Sequence, residues 1–437
     1  MRRLIGSLML LGLCGTALVA QNPPAMDTLS RTRARVMLQQ AHDTVKKHYY
    51  DVRFHGADLE ARFREYDQRI QKAGSFNEAL AIIADYLNAL DDSHTYFVPP
   101  MRPYRFEYGY VFQAVGDAAF ITQIRPGSDA AAKLNRGDRI LAVNGVPLNR
   151  AGIQQVWYVL NQLAPQPATT LTLMNPAGAT RQETVVTATV QGKRQWNFAN
   201  LDGEDVWEFI REMENQDEFL RQRFVESGDV IVWKMPAFEM ADADVDAAFD
   251  RVRKHGSLVL DLRGNPGGAT VTLERIVGSV FDHDVPIGQR VGRSTMKPLV
   301  GKTRGAKAFA GKLVVLVDGA SASAAELFAR VVQLEKRGTV IGDRSSGSVM
   351  EARGYPEFQG SDTQIYYTFI VTSADLIMKD GKSLEHVGVT PDEIVLPTAA
   401  DLAKGADPVL ARAAALVGVD LDPVTAGQLF PFEWRNR

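Results

Sequence analysis

The chain has 437 residues, 45% of them hydrophobic and 23% charged, with a formal net charge of −3. Such a length calls for roughly two to four domains, and the composition is that of a folded globular protein. The weakly acidic balance, without a dense Lys/Arg block, excludes a nucleic-acid surface.

Arg2 and Arg3 open the chain, an apolar run too short to span a membrane follows, and small residues lead up to Ala20. This pattern predicts a secretory signal over residues 1–20, cleaved after Ala20. Cys14 raises the alternative of a lipid anchor, but Leu13 before it is bulkier than such sites use. The mature chain would then be exported, periplasmic or otherwise extracytoplasmic, with no integral membrane span. Cys14 is the only cysteine, so disulfides, zinc–thiolate sites and cysteine catalysis are excluded from that mature chain.

Residues 26–105 read as a helical region, with apolar residues at three- and four-residue spacing in "TLSRTRARVMLQQAHDTVKKHYY" and "SFNEALAIIADYLNALDD". A cluster of Asp, Ser, His and Thr, followed by Pro99, Pro100 and Pro103, ends it. Short β-type runs then fill residues 106–192, interrupted by one helical piece, "AGIQQVWYVLNQL". From 193 to 400 a polar helical connector, "EDVWEFIREMENQDEFLRQRF", leads into alternating strands and helices, which predict a mostly parallel sheet covered by helices. Residues 401–437 read as a C-terminal tail.

In such a sheet, ligands belong at the carboxyl ends of the strands. Two motifs fall there, the glycine loop of "LVLDLRGNPGG" and the serine turn of "KLVVLVDGASASAAELFARVV". Ser323-Ala-Ala-Glu326 fits a helix-capping box, which by itself needs no chemistry. A nucleophile suits the same strand-to-helix junction, because the helix N-terminus offers unpaired N–H groups to a developing oxyanion. The motif alone leaves Ser321, Ser323 and plain capping open. The glycine loop lets backbone amides approach a substrate carbonyl, and lacks the lysine and spacing of a phosphate-binding loop.

"SLVLDLRGNPGG", followed by "VVLVDGASASAAELFA", resembles the C-terminal processing (tail-specific) proteases and the tricorn core protease, a family of serine peptidases. "IRPGSDAAAKLNRGDRILAVNG" resembles the heart of a PDZ domain. The resemblance implies an α/β fold with a crotonase-like catalytic domain, a PDZ-like β module and an N-terminal helical region. It places the nucleophile on Ser323, and oxyanion donors on the amides of Ala324 and Gly268. Tail-specific proteases supply a lysine base in a "G-E-x-T-x-G-K-G" type segment. This chain has "Gly342-Asp-Arg-Ser-Ser-Gly-Ser348", with Ser348 at the lysine position, and neither a serine hydroxyl nor the guanidinium of Arg344 can act as base at neutral pH.

"Leu90-Asp-Asp-Ser-His94-Thr" resembles the tricorn-type Ser-His segment instead, which implies His94 as general acid/base with Ser93 and Glu385 supporting it. His386 is the rival base. The PDZ resemblance implies strand addition of a peptide and capture of its C-terminus at Tyr108, Gly109 and Tyr110. No metal and no cofactor are implied, and the partner is a polypeptide substrate. The expected activity is an exported serine endopeptidase. The alternatives are a catalytically silent peptide- or ligand-binding scaffold of the same fold and a hydrolase of small esters or amides.

Overall fold

The computed structural model describes residues 26–191, 220–360 and 364–434. The expected signal segment and most of the polar connector lie outside the described residues.

Helices α1 (Thr28–His48), α2 (Leu59–Lys72) and α3 (Phe76–Asn88) form the N-terminal region, each begun by an Asp or Ser side chain that accepts a backbone N–H of the first turn. Their apolar stripes close a core with Tyr49, Tyr86 and Leu87. Strand β1 (Tyr96–Val98) follows directly. It does not stay with the helices that precede it but pairs antiparallel with a strand far along the chain, Phe97 opposite Phe369.

A β-rich module comes next. Strands β2 (Tyr104–Glu107), β3 (Tyr110–Val115) and β4 (Ala118–Ile124) precede a short helix α4 (Asp129–Lys133), then β5 (Arg139–Val143) and β6 (Val146–Pro147). Helix α5 (Ile153–Tyr158) and strands β7 (Ala168–Met174), β8 (Thr180–Val186) and β9 (Ala188–Gln191) complete it. The main sheet runs β3-β4-β5-β7-β8, with β3 at its edge, while β2 pairs with β9.

The third unit begins with β10 (Arg223–Ser227) and β11 (Val230–Lys234), then alternates α6 (Asp242–Val252), β12 (Ser257–Asp261), α7 (Thr270–Val280), β13 (Val285–Gly292), β14 (Leu299–Gly301) and β15 (Lys312–Val317). Helix α8 (Ala324–Leu334), β16 (Thr339–Gly342), the long hairpin β17 (Glu351–Gln359) and β18 (Ile365–Ile377), and β19 (Glu393–Ile394) follow. The central sheet runs β10-β11-β12-β15-β16-β19, parallel except for the β10–β11 pair. Strands buried on both faces read as unbroken apolar runs, as in Leu258-Val-Leu260 and Leu313-Val-Val-Leu316.

One face of that sheet packs on α6, α7 and α8. The other is covered by α10 (Pro408–Leu416) and α11 (Pro423–Gln428), which follow the short α9 (Ala399–Lys404). Of residues 401–437, expected as a tail, those described (401–434) thus supply a layer of the fold: Val409, Leu410 and Ala413 bury against Val259, Val314 and Ile341.

Candidate active site

The β15–α8 turn carries the two serines. Ser321 is fully buried, donates to the Leu262 carbonyl at 2.8 Å and accepts the Asp318 N–H at 2.9 Å. It ties the serine turn to the glycine loop and presents no free hydroxyl. Ser323 heads α8 with φ 53° and ψ −119°, a conformation costing a non-glycine residue about 1–3 kcal/mol and found where function over-determines the backbone. Its N–H is held by the Ser348 carbonyl at 2.8 Å and by Glu326 at 3.0 Å.

Glu326 closes the glutamate half of the expected capping box and does more. Its buried carboxylate also accepts the Ser345 hydroxyl at 2.6 Å, the Gly347 N–H at 2.7 Å and the Ser348 N–H at 3.0 Å. Burial pushes this carboxyl above its ordinary value, with those hydrogen bonds working the other way. One side chain therefore fastens the 345–348 segment to the main chain of the serine.

The glycine loop presses against the same turn. A Cβ on Gly267, at φ +97°, would sit 2.6 Å from Ser323 Cβ and 2.9 Å from the Ala324 nitrogen. The Gly267 N–H is spent on the Asn265 side chain at 2.8 Å, whereas the N–H groups of Gly268 and Ala324 take part in no hydrogen bond among the described residues. Two unpaired amides beside a serine hydroxyl are what an oxyanion requires.

His94 reaches this region through β1. Pairing of β1 with β18, together with the Thr95 hydroxyl 3.1 Å from that of Thr372, carries the 92–95 segment onto the third unit. Asp92 accepts the His94 N–H at 2.9 Å and the Thr372 hydroxyl at 2.6 Å. The Ser93 hydroxyl lies 2.9 Å from Glu385 Oε2 and 2.7 Å from His94 Nδ1. Glu385 also accepts the Ser93 N–H at 2.7 Å and the Val349 N–H at 2.9 Å.

A carboxylate only accepts, so Ser93 gives its single proton to Glu385 and must accept one from Nδ1. That order leaves His94 Nε2 as the basic nitrogen. Burial holds the imidazole below its ordinary value, with the Asp92 charge opposing, and burial pushes Glu385 up against its three donors.

Ser93, His94 and Glu385 thus stand together. Ser323 and His94 are not hydrogen-bonded to each other among the described residues; a short chain of contacts links them. Ser323 N–H bonds Ser348, the neighbouring Val349 N–H bonds Glu385, and Glu385 holds Ser93. His386, half exposed, has its Nε2 3.0 Å from the Asp91 carbonyl and 3.7 Å from Glu385 Oε1.

Tyr108 and Tyr110 are buried in the β-rich module, bonded to the Leu160 carbonyl and to Thr169. Their hydroxyls find partners inside the core. Sequence reasoning passed over Arg150 and Gln154. Arg150 bonds Asp343 at 2.8 Å and the Arg344 carbonyl, and Gln154 bonds Ser346 and Ser348. Nothing in the local sequence marks them, because their partners are distant in the chain. A cavity of about 1800 Å³ opens between the three units, lined by Arg62, Ser93, Gln154, Tyr158, Ser348 and His386 among others.

The fold is that of an α/β protein that carries a separate β-rich module. The model of peptidase family S41 matches residues 229–395, and that of the PDZ domain matches residues 105–160. The chain is 26% identical over 194 residues to the carboxy-terminal-processing protease of Bartonella bacilliformis, covering 42% of each. It is 26% identical over 339 residues to the tail-specific protease of Haemophilus influenzae, covering 71% of this chain and 45% of that one. The chain thus spans less than half the length of these curated relatives. The crystal structure of mature CPAF shares the fold at 15% identity, with a TM-score of 0.63 over 86% of this chain and 95% of that one. These matches are to peptidase family S41 and to carboxy-terminal-processing and tail-specific proteases, and they support a place in the C-terminal processing protease family, which the motifs resemble.

Proposed function

We propose that the chain is an exported serine endopeptidase of polypeptides, with a crotonase-like catalytic domain over 193–400 and a PDZ-like module over 106–192 that receives the substrate's C-terminus. The observation that carries this reading is the Glu385–Ser93–His94 relay, which leaves Nε2 basic on a segment tied through Glu385 and Val349 to the stretch that holds the Ser323 N–H. Ser323 Oγ attacks the peptide carbonyl carbon while its proton passes to His94 Nε2. The carbonyl oxygen takes the charge and is met by the N–H groups of Gly268 and Ala324. His94 then protonates the leaving amine, and an acyl-enzyme on Ser323 remains. Water attacks it, giving its proton to Nε2, and Ser323 recovers the proton as the acid product leaves.

Substrate binding closes the remaining gap between hydroxyl and imidazole, since such bonds are often unformed in the free enzyme. The relay is also what argues against a silent scaffold, which has no use for a tautomer-fixed histidine. The test is casein hydrolysis by the purified chain beside Ser323→Ala and His94→Ala, with fluorophosphonate labelling of Ser323. Activity lost in both variants, and label absent from the first, supports the proposal. An inert wild type that takes no label favours the scaffold.

A further inference from the structure

Beneath the glycine loop lies a group of four charges, Asp261 buried and the other three less than one-fifth exposed. Arg263, the residue before Gly264, makes a bidentate pair with Asp261 at 2.9 and 2.8 Å and a second with Asp407 at 2.8 and 2.7 Å. Lys234 stands 3.2 Å from Asp261 and holds the Arg263 carbonyl at 2.5 Å. The two cations offset the two carboxylates, and a further carboxylate, Asp318, faces Lys234 and accepts the Gly264 N–H at 2.9 Å. Burial by itself would raise Asp261, but Arg263 and Lys234 carry it well below its ordinary value.

Three of the four charges come from β11, β12 and the loop itself; Asp407 alone comes from the C-terminal layer. It caps α10, accepting the Leu410 N–H at 2.9 Å, while its own N–H bonds the Pro423 carbonyl at 2.7 Å. At the other end of the helix Lys312, the first residue of β15, bonds the Leu416 carbonyl. Helix α10 therefore runs antiparallel to the parallel strands and brings its charged N-terminus to their carboxyl ends.

We infer that Asp407 is a positioning residue for the oxyanion loop, so that the C-terminal helical layer controls the geometry of the Gly268 amide beside Ser323. It touches no substrate; it acts through Arg263, the loop residue that leads into Gly264. The inference rests on the peptidase reading, and its structural half is measurable without activity. Asn caps helices as well as Asp, so Asp407→Asn keeps α10 and removes only the charged clamp.

The experiment compares the full-length wild type with Asp407→Asn, and with Asp407→Ser as a second capping variant. Casein-derived peptide turnover and amide hydrogen exchange are measured in each. Expected are a kcat lower by at least tenfold, a KM within twofold, and exchange at Gly264–Gly268 at least tenfold faster while β12 is unchanged. Unchanged loop exchange in both variants overturns the inference whether or not the wild type is active. Faster loop exchange with unchanged kcat in an active enzyme overturns it as well. An inert wild type with the expected exchange change sinks the peptidase reading and leaves the mechanical link from Asp407 to the loop in place.

Discussion

Gln154 of the β-rich module lies 3.3 Å from the hydroxyl of Ser348, the position at which tail-specific proteases carry their lysine. Ser346 is a further neighbour of that hydroxyl, at 2.9 Å. The site is thus filled by neutral hydroxyl and amide groups, none of which can accept a proton at neutral pH. Neutral hydrogen bonds are worth ~1 kcal/mol each and these touch no reacting group, so Ser348→Ala should keep kcat within about tenfold of wild type. Peptide turnover by the two proteins checks this, and a loss on the order of a thousandfold would move the search for the base away from His94.

The relay makes a sharper prediction, because its members act as one device. Ser93→Ala leaves Nδ1 without its acceptor, and Glu385→Gln offers an amide where Ser93 and Val349 need only acceptors. Each should lower kcat by about 10²–10⁴. The double variant should fall little further than the worse single one, since residues that work through one another are not additive. Effects that multiply would show that the two groups serve separate ends.

These residues were legible in the sequence because each sits in a short motif: the serine turn, the Asp-Asp-Ser-His segment and the Ser-Leu-Glu-His segment. Glu326 was legible as a cap only; that it also holds Ser345, Gly347 and Ser348 depends on β16 lying beside β15. Arg150, Gln154 and Asp407 had no local signal. Each is an ordinary helix-start residue whose partner is set by the docking of a whole unit. Burial of the Tyr108 and Tyr110 side chains was legible only as one of two outcomes, since aromatic residues flanking a glycine suit a core as well as a loop whose main chain is left to bind.

A pH profile separates His94 from any lysine. The base works only when neutral, and burial holds it below its ordinary value of 6.5, with Asp92 opposing. The acid limb of kcat/KM should therefore fall below pH 6.5, activity persisting as pH drops to that limb and vanishing beneath it. Asp92→Asn removes the opposing charge and should move the limb lower still. The same shift links to folding: the unfolded chain takes up the proton more readily, so stability from this residue is present above pH 6.5 and is lost as pH falls through the folded-state value. A limb near the lysine range would refute the assignment.

Two glycines of one loop give the last prediction, since they differ only in what a methyl group would meet. At Gly267 it would strike Ser323 Cβ at 2.6 Å and the Ala322 carbonyl at 2.9 Å; at Gly264, φ +72°, it would meet nothing within 4 Å. Both substitutions to alanine force a side chain into the left-handed region, at a cost of order 1–2 kcal/mol. Stability should thus fall in both, and further at Gly267, where the clash adds to the backbone cost. Catalysis should separate the two far more widely. Gly267→Ala must move the loop off the serine turn and carry the neighbouring Gly268 amide with it, and loss of one oxyanion donor lowers kcat by about 10²–10³. Gly264→Ala leaves that approach intact and should keep most of its turnover. Calorimetry beside peptide hydrolysis distinguishes the two effects, and equal loss of activity in both variants would mean that the loop contributes only to folding.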